Sequence, residues 1–305
     1  MTLRRRFLNN WLRAVEKPRM RRAAHPAPLR RALEAQARMF FHAPRGTRKS
    51  WITLGPVNAL EVLPAPFTNS PKVLFYVHGG GFTFGSPRTH SALAAQLAQR
   101  LGARAVLPQY RLAPESPYPA APDDIRASWE ALIAQGTNPR DVIVGGDSAG
   151  GALAFGLLAQ LCAEKAALPG GVFGFSPLTD MSFSSESFQR NALSDVVLPA
   201  ERAADMGQMF LDGQPPDDPR VSPVNGDFQG GCAVWITVGD SEILLDDARR
   251  LAQKCKAEGV ETTLVERHDL PHVWPIFHNI LPEARETLDD LARWIRQQPG
   301  WQGES

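Results

Sequence analysis

The sequence predicts an α/β chain built on a mostly parallel sheet with helices on both faces. Three observations carry this reading. Short apolar runs alternate with helix-length amphipathic segments along most of the chain. One of those runs, VLFYV at 73–77, is apolar at every position, as in strands buried on both faces. Finally, 305 residues at 43% hydrophobic and 21% charged suffice for one large core without disulfide or metal staples.

In chain order the first element is a basic front end. Residues 1–50 hold 14 Lys and Arg against Glu16 and Glu34, so the net charge of +1 conceals a basic N-terminus and an acidic remainder. Apolar residues recur there at helical spacing: Phe7, Leu8, Trp11, Leu12 and Val15, then Leu29, Leu33, Ala37, Phe40 and Phe41. Two amphipathic helices broken near Pro26 and Pro28 are expected, with residues 1–45 forming a helical cap on a main domain at 46–305. A membrane-surface or nucleic-acid arm is the alternative for this segment. The start has no uninterrupted apolar signal region, and no stretch reaches the roughly 18 apolar residues of a membrane span, so a cytoplasmic protein is expected. Cys162, Cys232 and Cys255 are odd in number and widely spaced, which encodes neither a disulfide framework nor a zinc site.

After Pro56, strands are expected at 59–63, 73–77, 103–108, 141–146, 171–176, 233–239 and 262–266. Helices are expected near 90–101, 122–135, 149–166, 246–258 and 282–297 between and after them. The interval 181–231 breaks the alternation. It is rich in Ser, Pro, Asp and Gly with one helix near 200–211, and reads as an excursion over the sheet whose first part, 181–215, joins the cap.

The chemistry concentrates in three places. At the end of the 141–146 strand stands Gly146-Asp147-Ser148-Ala149-Gly150, a G-x-S-x-G turn leading into a helix. Such a turn lifts a serine hydroxyl clear of the sheet at a helix N-terminus, and it is tight enough to require glycine two residues to either side. Directly after VLFYV comes His78-Gly79-Gly80-Gly81-Phe82, whose bare backbone N–H groups suit a developing oxyanion. No GK[ST] follows, which argues against a phosphate loop. A serine nucleophile needs a base, and the base an orienting acid. With the order serine, acid, histidine, the base is His268, His272 or His278, of which His272 sits best in the loop before the last helix. The acid follows the 233–239 strand. Asp246 and Asp247 fit a helix N-terminus, while Asp240 and Glu242 stay open on this reasoning.

With these motifs in place, the chain resembles the hormone-sensitive-lipase-like branch of α/β-hydrolases, over about residues 55–297. Further matches are YRLAPE at 110–115, YPAAPDD at 118–124, SPLTD at 176–180 and DPRVSP at 218–223. The resemblance implies an α/β-hydrolase fold with an N-terminal helical cap. Carried over motif by motif, it implies Ser148 as nucleophile, His272 as base, and the amides of Gly80, Gly81 and Ala149 as the oxyanion hole. Setting Leu244 and Asp246 against the family's acid segment puts Glu242, a glutamate where an aspartate is usual, in the acid position. Gln109 departs from the family's aspartate at that place, and Asp147 and Glu115 read as supports for the turn and loop.

The resemblance implies a serine carboxylesterase acting on short- to medium-chain esters without metal or organic cofactor. A lactone hydrolase or amidase with the same triad, or a catalytically silent receptor on the same fold, are the alternatives. Phe82, Trp274 and Phe210 are candidate substrate lining, with core packing equally open for Phe210. The expected partner is a small-molecule ester, not nucleic acid and not a stably inserted membrane, and a homodimer fits the family.

Overall fold

A strand buried on both faces needs apolar side chains at consecutive positions, and β3 (Val73–Val77) shows what that achieves. Val73, Phe75 and Val77 enter one core, while Leu74 and Tyr76 enter the other. A computed structural model describes residues 2–302 except Ala24 and Thr68. Around β3 lie β1 (Arg48–Leu54), β2 (Val57–Leu63), β4 (Arg104–Pro108), β5 (Val142–Asp147), β6 (Gly171–Phe175), β7 (Val234–Gly239) and β8 (Thr262–Arg267). They form one eight-stranded sheet in the order β1-β2-β4-β3-β5-β6-β7-β8. β2 pairs antiparallel with both β1 and β4, and every pairing from β4 to β8 is parallel.

The helices cover this sheet as the alternation requires. The chain opens with α1 (Leu3–Trp11), which runs through a π-helical turn at Leu12–Glu16 into α2 (Lys17–Arg22). After a break, Pro26 opens α3 (Pro26–Phe40) in the first helical turn, where its missing N–H is harmless. α4 (Pro87–Leu101) covers one face of the sheet together with the last helix, and α5 (Ala120–Ala134) and α6 (Ala149–Ala163) cover the other. The crossover from β6 to β7 carries α7 (Glu186–Arg190) and α8 (Ala200–Leu211). α9 (Leu245–Ala257) and α10 (Pro282–Ile295) follow β7 and β8. No described helix is long and apolar enough to cross a membrane.

Two elements depart from the sequence reading. β1, a hairpin partner of β2 across Gly55, was not among the expected strands because it is an edge strand with exposed Arg48, Lys49 and Ser50 and only Leu54 fully inside. α7 is a single short turn of helix whose composition reads as loop. The functional consequence of the topology is simple: the loops after β3, β5, β7 and β8 all emerge at the carboxyl end of the parallel strands, where open α/β sheets bind ligands.

Candidate active site

Ser148 sits at the junction of β5 and α6 with φ 52° and ψ −121°, a conformation that strains any residue with a Cβ. The surroundings hold it there. Its N–H donates to the Phe175 carbonyl at 2.9 Å, and its carbonyl accepts from Ala152 at 3.2 Å and Leu178 at 3.0 Å. The strain, of the order of 1–3 kcal/mol, lifts the side chain to half-burial at the rim of a cavity. Close packing demands glycine two residues on, since a Cβ at Gly150 would stand 2.1 Å from the Val77 carbonyl oxygen and 2.5 Å from that of His78. Gly150→Ala is therefore expected to destabilise the fold by about 3 kcal/mol or more, lowering Tm by roughly 6–12 °C in a thermal melt.

The glycine loop after β3 is shaped for exposed amides. Gly80 has φ 122° and Gly81 φ 55°, and a Cβ at Gly80 would fall 2.2 Å from the Phe84 carbonyl oxygen. The Gly80 carbonyl closes the turn by accepting from Thr83 at 3.0 Å and Phe84 at 2.9 Å. The N–H groups of Gly80 and Gly81 make no hydrogen bond among the described residues, and Ala149 N–H opens α6, where helix donors are unpaired. Gly80, Gly81, Ser148 and His272 face the same cavity.

His272 and Glu242 form a buried pair, with Nδ1 2.6 Å from Oε2. The other carboxylate oxygen of Glu242 accepts from Gly239 N–H at 2.6 Å and from the Ser176 hydroxyl at 2.8 Å. Burial pushes Glu242 upward against the opposing hydrogen bond and charge of His272. Burial alone would lower His272, but its hydrogen bond with Glu242 and the carboxylate's charge outweigh that and hold the imidazole above its ordinary value. The hydrogen bond from Ser148 to His272 is not formed among the described residues, and such bonds often tighten only once substrate is in place.

The rival acid and bases are placed elsewhere. Asp240 binds His268, 2.6 Å from Oδ2 to Nδ1, on a histidine whose side chain is 85% exposed, so this second acid–imidazole pair faces solvent. His278 is buried beside the N-terminal segment, with Nε2 3.3 Å from the His42 carbonyl oxygen. Asp246 and Asp247 lie in the first turn of α9 as expected, but neither caps that helix. Asp246 accepts from Ser187 N–H of α7 at 2.8 Å, and Asp247 from Thr179 at 2.9 Å and Asp180 at 3.1 Å, so they tie the β6–β7 excursion to α9.

Three supporting residues escaped the sequence reading. Ser176 bridges Glu242 and the N–H of Val273, which donates to it at 3.2 Å. Asn191 donates to the carbonyls of Asp240 and Glu242 at 3.1 and 2.8 Å. Asp195 accepts from Val197, Leu198 and Ile243, fixing the backbone beside Glu242. Of these only Ser176 carried a signal, its place at a strand end.

Behind the serine turn, Asp147 accepts from Tyr76 at 2.8 Å and Gly79 N–H at 3.1 Å and lies 3.3 Å from His90 Nε2. Burial would raise Asp147, but the charge and hydrogen bond of His90 and the Tyr76 hydroxyl hold it below the usual range. Burial and the neighbouring His90 push His78 down to about 3, so its ring stays neutral, with Nδ1 2.9 Å from the Gly79 carbonyl oxygen. Asp147 thus locks the glycine loop to the serine turn. Glu115 takes a bidentate Arg30 from α3 at 2.8 and 2.7 Å, fastening the N-terminal helices to the loop after β4. Gln109 is exposed and holds β2 only through its backbone, donating to Asn58 at 2.8 Å.

The cavity has a volume of about 630 Å³ and an almost wholly apolar wall. Phe7, Trp11 and Phe40 reach it from the N-terminal helices, and Met181, Leu198 and Met206 from the β6–β7 excursion. Of the three expected lining aromatics, Phe82 is on the wall. Trp274 is not: it is fully buried among Leu8, Leu12 and Leu281, with its indole N–H donating to Thr287 at 2.9 Å. Phe210 is not either, because it stacks behind Phe82 with ring centroids 3.9 Å apart and supports the wall from outside.

Among the described residues no group of three or more His, Cys, Asp or Glu is arranged to hold a metal ion. Residues 74–276 match the model of a family with the alpha/beta hydrolase fold. The chain is 33% identical to an esterase of Acinetobacter venetianus over 94% of either chain. It is 34% identical to an acetyl-hydrolase of Streptomyces hygroscopicus, over 82% of this chain and 83% of that one. Its structure is similar to the crystal structure of an esterase from the bacterial hormone-sensitive lipase family, with a TM-score of 0.91 and 32% identity over 98% and 99% of the two chains.

Proposed function

Starting from a chain that belongs to the α/β-hydrolase family, in its hormone-sensitive-lipase-like branch, and is a carboxylesterase, we propose that Ser148, His272 and Glu242 hydrolyse short- to medium-chain esters through an acyl-serine intermediate. One observation carries this assignment: a strained serine on a strand-to-helix turn faces the same cavity as a buried imidazole whose far nitrogen is held by a carboxylate.

In the proposed reaction His272 Nε2 removes the Ser148 proton while Nδ1–H donates to Glu242, and Oγ attacks the ester carbonyl. The tetrahedral oxyanion accepts from the N–H groups of Gly80, Gly81 and Ala149, each such donor being worth about 3–4 kcal/mol in acyl transfer. The imidazolium then protonates the leaving alcohol. Water activated by the neutral imidazole releases the acid and restores Ser148. The N-terminal helices to residue 45 and the 181–215 segment act as the cap of the acyl site, and a cytoplasmic enzyme, with homodimerisation open, completes the proposal.

The test is hydrolysis of p-nitrophenyl acetate, butyrate and decanoate and of a seven-membered lactone. Turnover of the shorter esters that exceeds turnover of decanoate and lactone supports the reading. A preference for lactone, or no turnover by folded protein, contradicts it. The apolar cavity also sets an expectation for chain length. Met206, packed against Gly81 on the wall, replaced by Trp would remove room for several methylenes. Each methylene in an apolar pocket carries about 1–3 kcal/mol, so kcat/KM for decanoate is expected to fall at least about tenfold relative to acetate.

A further inference from the structure

The cap helices carry an exposed apolar face that the proposed chemistry does not use. Among the described residues seven large apolar side chains stand exposed, and five of them, Leu3, Phe7, Val15, Met39 and Phe40, lie in the first 40 residues. Leu3 is 82% and Phe7 75% exposed, while Leu8 and Leu12 on the neighbouring flank are buried against the domain. Leu3, Phe7, Trp11 and Val15 follow one another at a spacing of four, and of these only Trp11 is half-buried, against the cluster of Leu8 and Leu12, so the segment has an inner stripe that packs and an outer one that, Trp11 apart, does not. Phe7, Trp11 and Phe40 also line the cavity, which makes the outer face continuous with its mouth.

Charge surrounds this face. Arg4, Arg6, Arg13, Arg22, Arg31 and Arg38 are exposed and make no ion pair among the described residues. Apolar side chains between unpaired arginines on helices lying along a surface match the interface of an anionic bilayer: the apolar groups enter the headgroup boundary and the guanidinium groups meet lipid phosphates. A second copy of this chain fits the face poorly, because a two-fold contact would set like charges against each other. Duplex DNA would satisfy the arginines but leave Leu3, Phe7 and Met39 without a partner.

We propose that the outer face of α1, α2 and α3 docks on an anionic lipid surface and so places the cavity mouth at the bilayer. The docking itself is independent of the chemistry. Its use, delivery of amphiphilic esters to Ser148, rests on the carboxylesterase reading.

Flotation of the full chain with vesicles of phosphatidylcholine, alone or with about one third phosphatidylglycerol, tests this at about 0.01 M and about 1 M salt. The expected result is at least roughly tenfold more protein on the phosphatidylglycerol vesicles at low salt, lost at high salt. The double variants Leu3→Ser with Met39→Ser and Arg13→Glu with Arg38→Glu are each expected to lower it about tenfold, with kcat/KM on dissolved p-nitrophenyl acetate unchanged. Ser148→Ala should float like the wild type, which separates docking from the esterase reading. No flotation at low salt, flotation undiminished in both double variants, or tighter binding to duplex DNA than to vesicles would each overturn the proposal. So would a dimer that Leu3→Ser with Met39→Ser dissolves.

Discussion

Ser148→Ala should lower kcat on p-nitrophenyl butyrate by about 10⁴-fold or more while leaving Tm close to the wild type. The size follows from what is removed. Without Oγ there is no acyl-enzyme, and only the oxyanion donors and substrate binding remain, which in serine hydrolases leaves a residue of about 10³–10⁴ over water. The fold should tolerate the change because Ser148 is anchored through its backbone, to Phe175, Ala152 and Leu178. Alanine does not relieve the positive φ of 52°, so the strain stays nearly constant. A steady-state assay beside a thermal melt checks both halves. A variant that keeps more than a few per cent of kcat would assign the nucleophile elsewhere.

Glu242→Gln is expected to lower kcat by about 10²–10⁴-fold, whereas Asp240→Asn should change it less than about threefold. Both acids follow β7 and each holds a histidine at 2.6 Å, so contact alone does not separate them. Burial does, because the Glu242–His272 pair is shielded from water while His268 is 85% exposed. The difference should also appear in the pH profile. Glu242 holds His272 above its ordinary value of 6.5, so the neutral, base-competent imidazole is lost as pH falls through that raised value. The acidic limb of kcat/KM should therefore lie above pH 6.5 in the wild type and move to lower pH in Glu242→Gln. A limb that moves in Asp240→Asn instead would exchange the roles of the two acids.

Much of this was legible in the chain. β3 through β7 read clearly because both of their faces are inside, so apart from Arg104, Asp147 and Thr237 their positions are apolar or glycine and the runs are nearly continuous. β1 did not, since its first four residues are exposed and its partnership with β2 depends on the turn at Gly55. At the site, Ser148 and the glycine loop were visible because their backbone conformations permit few residue types. The direction of an aromatic ring is a different matter. Phe82 and Phe210 stack on each other, yet only one reaches the cavity, and Trp274 two residues from His272 turns into the core. Sequence spacing has no term for that, nor for Asn191 and Asp195, which act on Glu242 through backbone groups brought together by the β6–β7 excursion.

The central claim is that an acyl group is carried on Ser148. Intact-protein and peptide mass spectrometry of enzyme quenched in acid during turnover of p-nitrophenyl butyrate tests it most directly. The expected result is one butyryl group per chain, on the peptide containing Ser148 and absent from Ser148→Ala. A butyryl group on another residue, or sustained turnover with no acylated species under conditions where deacylation is slowed, would contradict it.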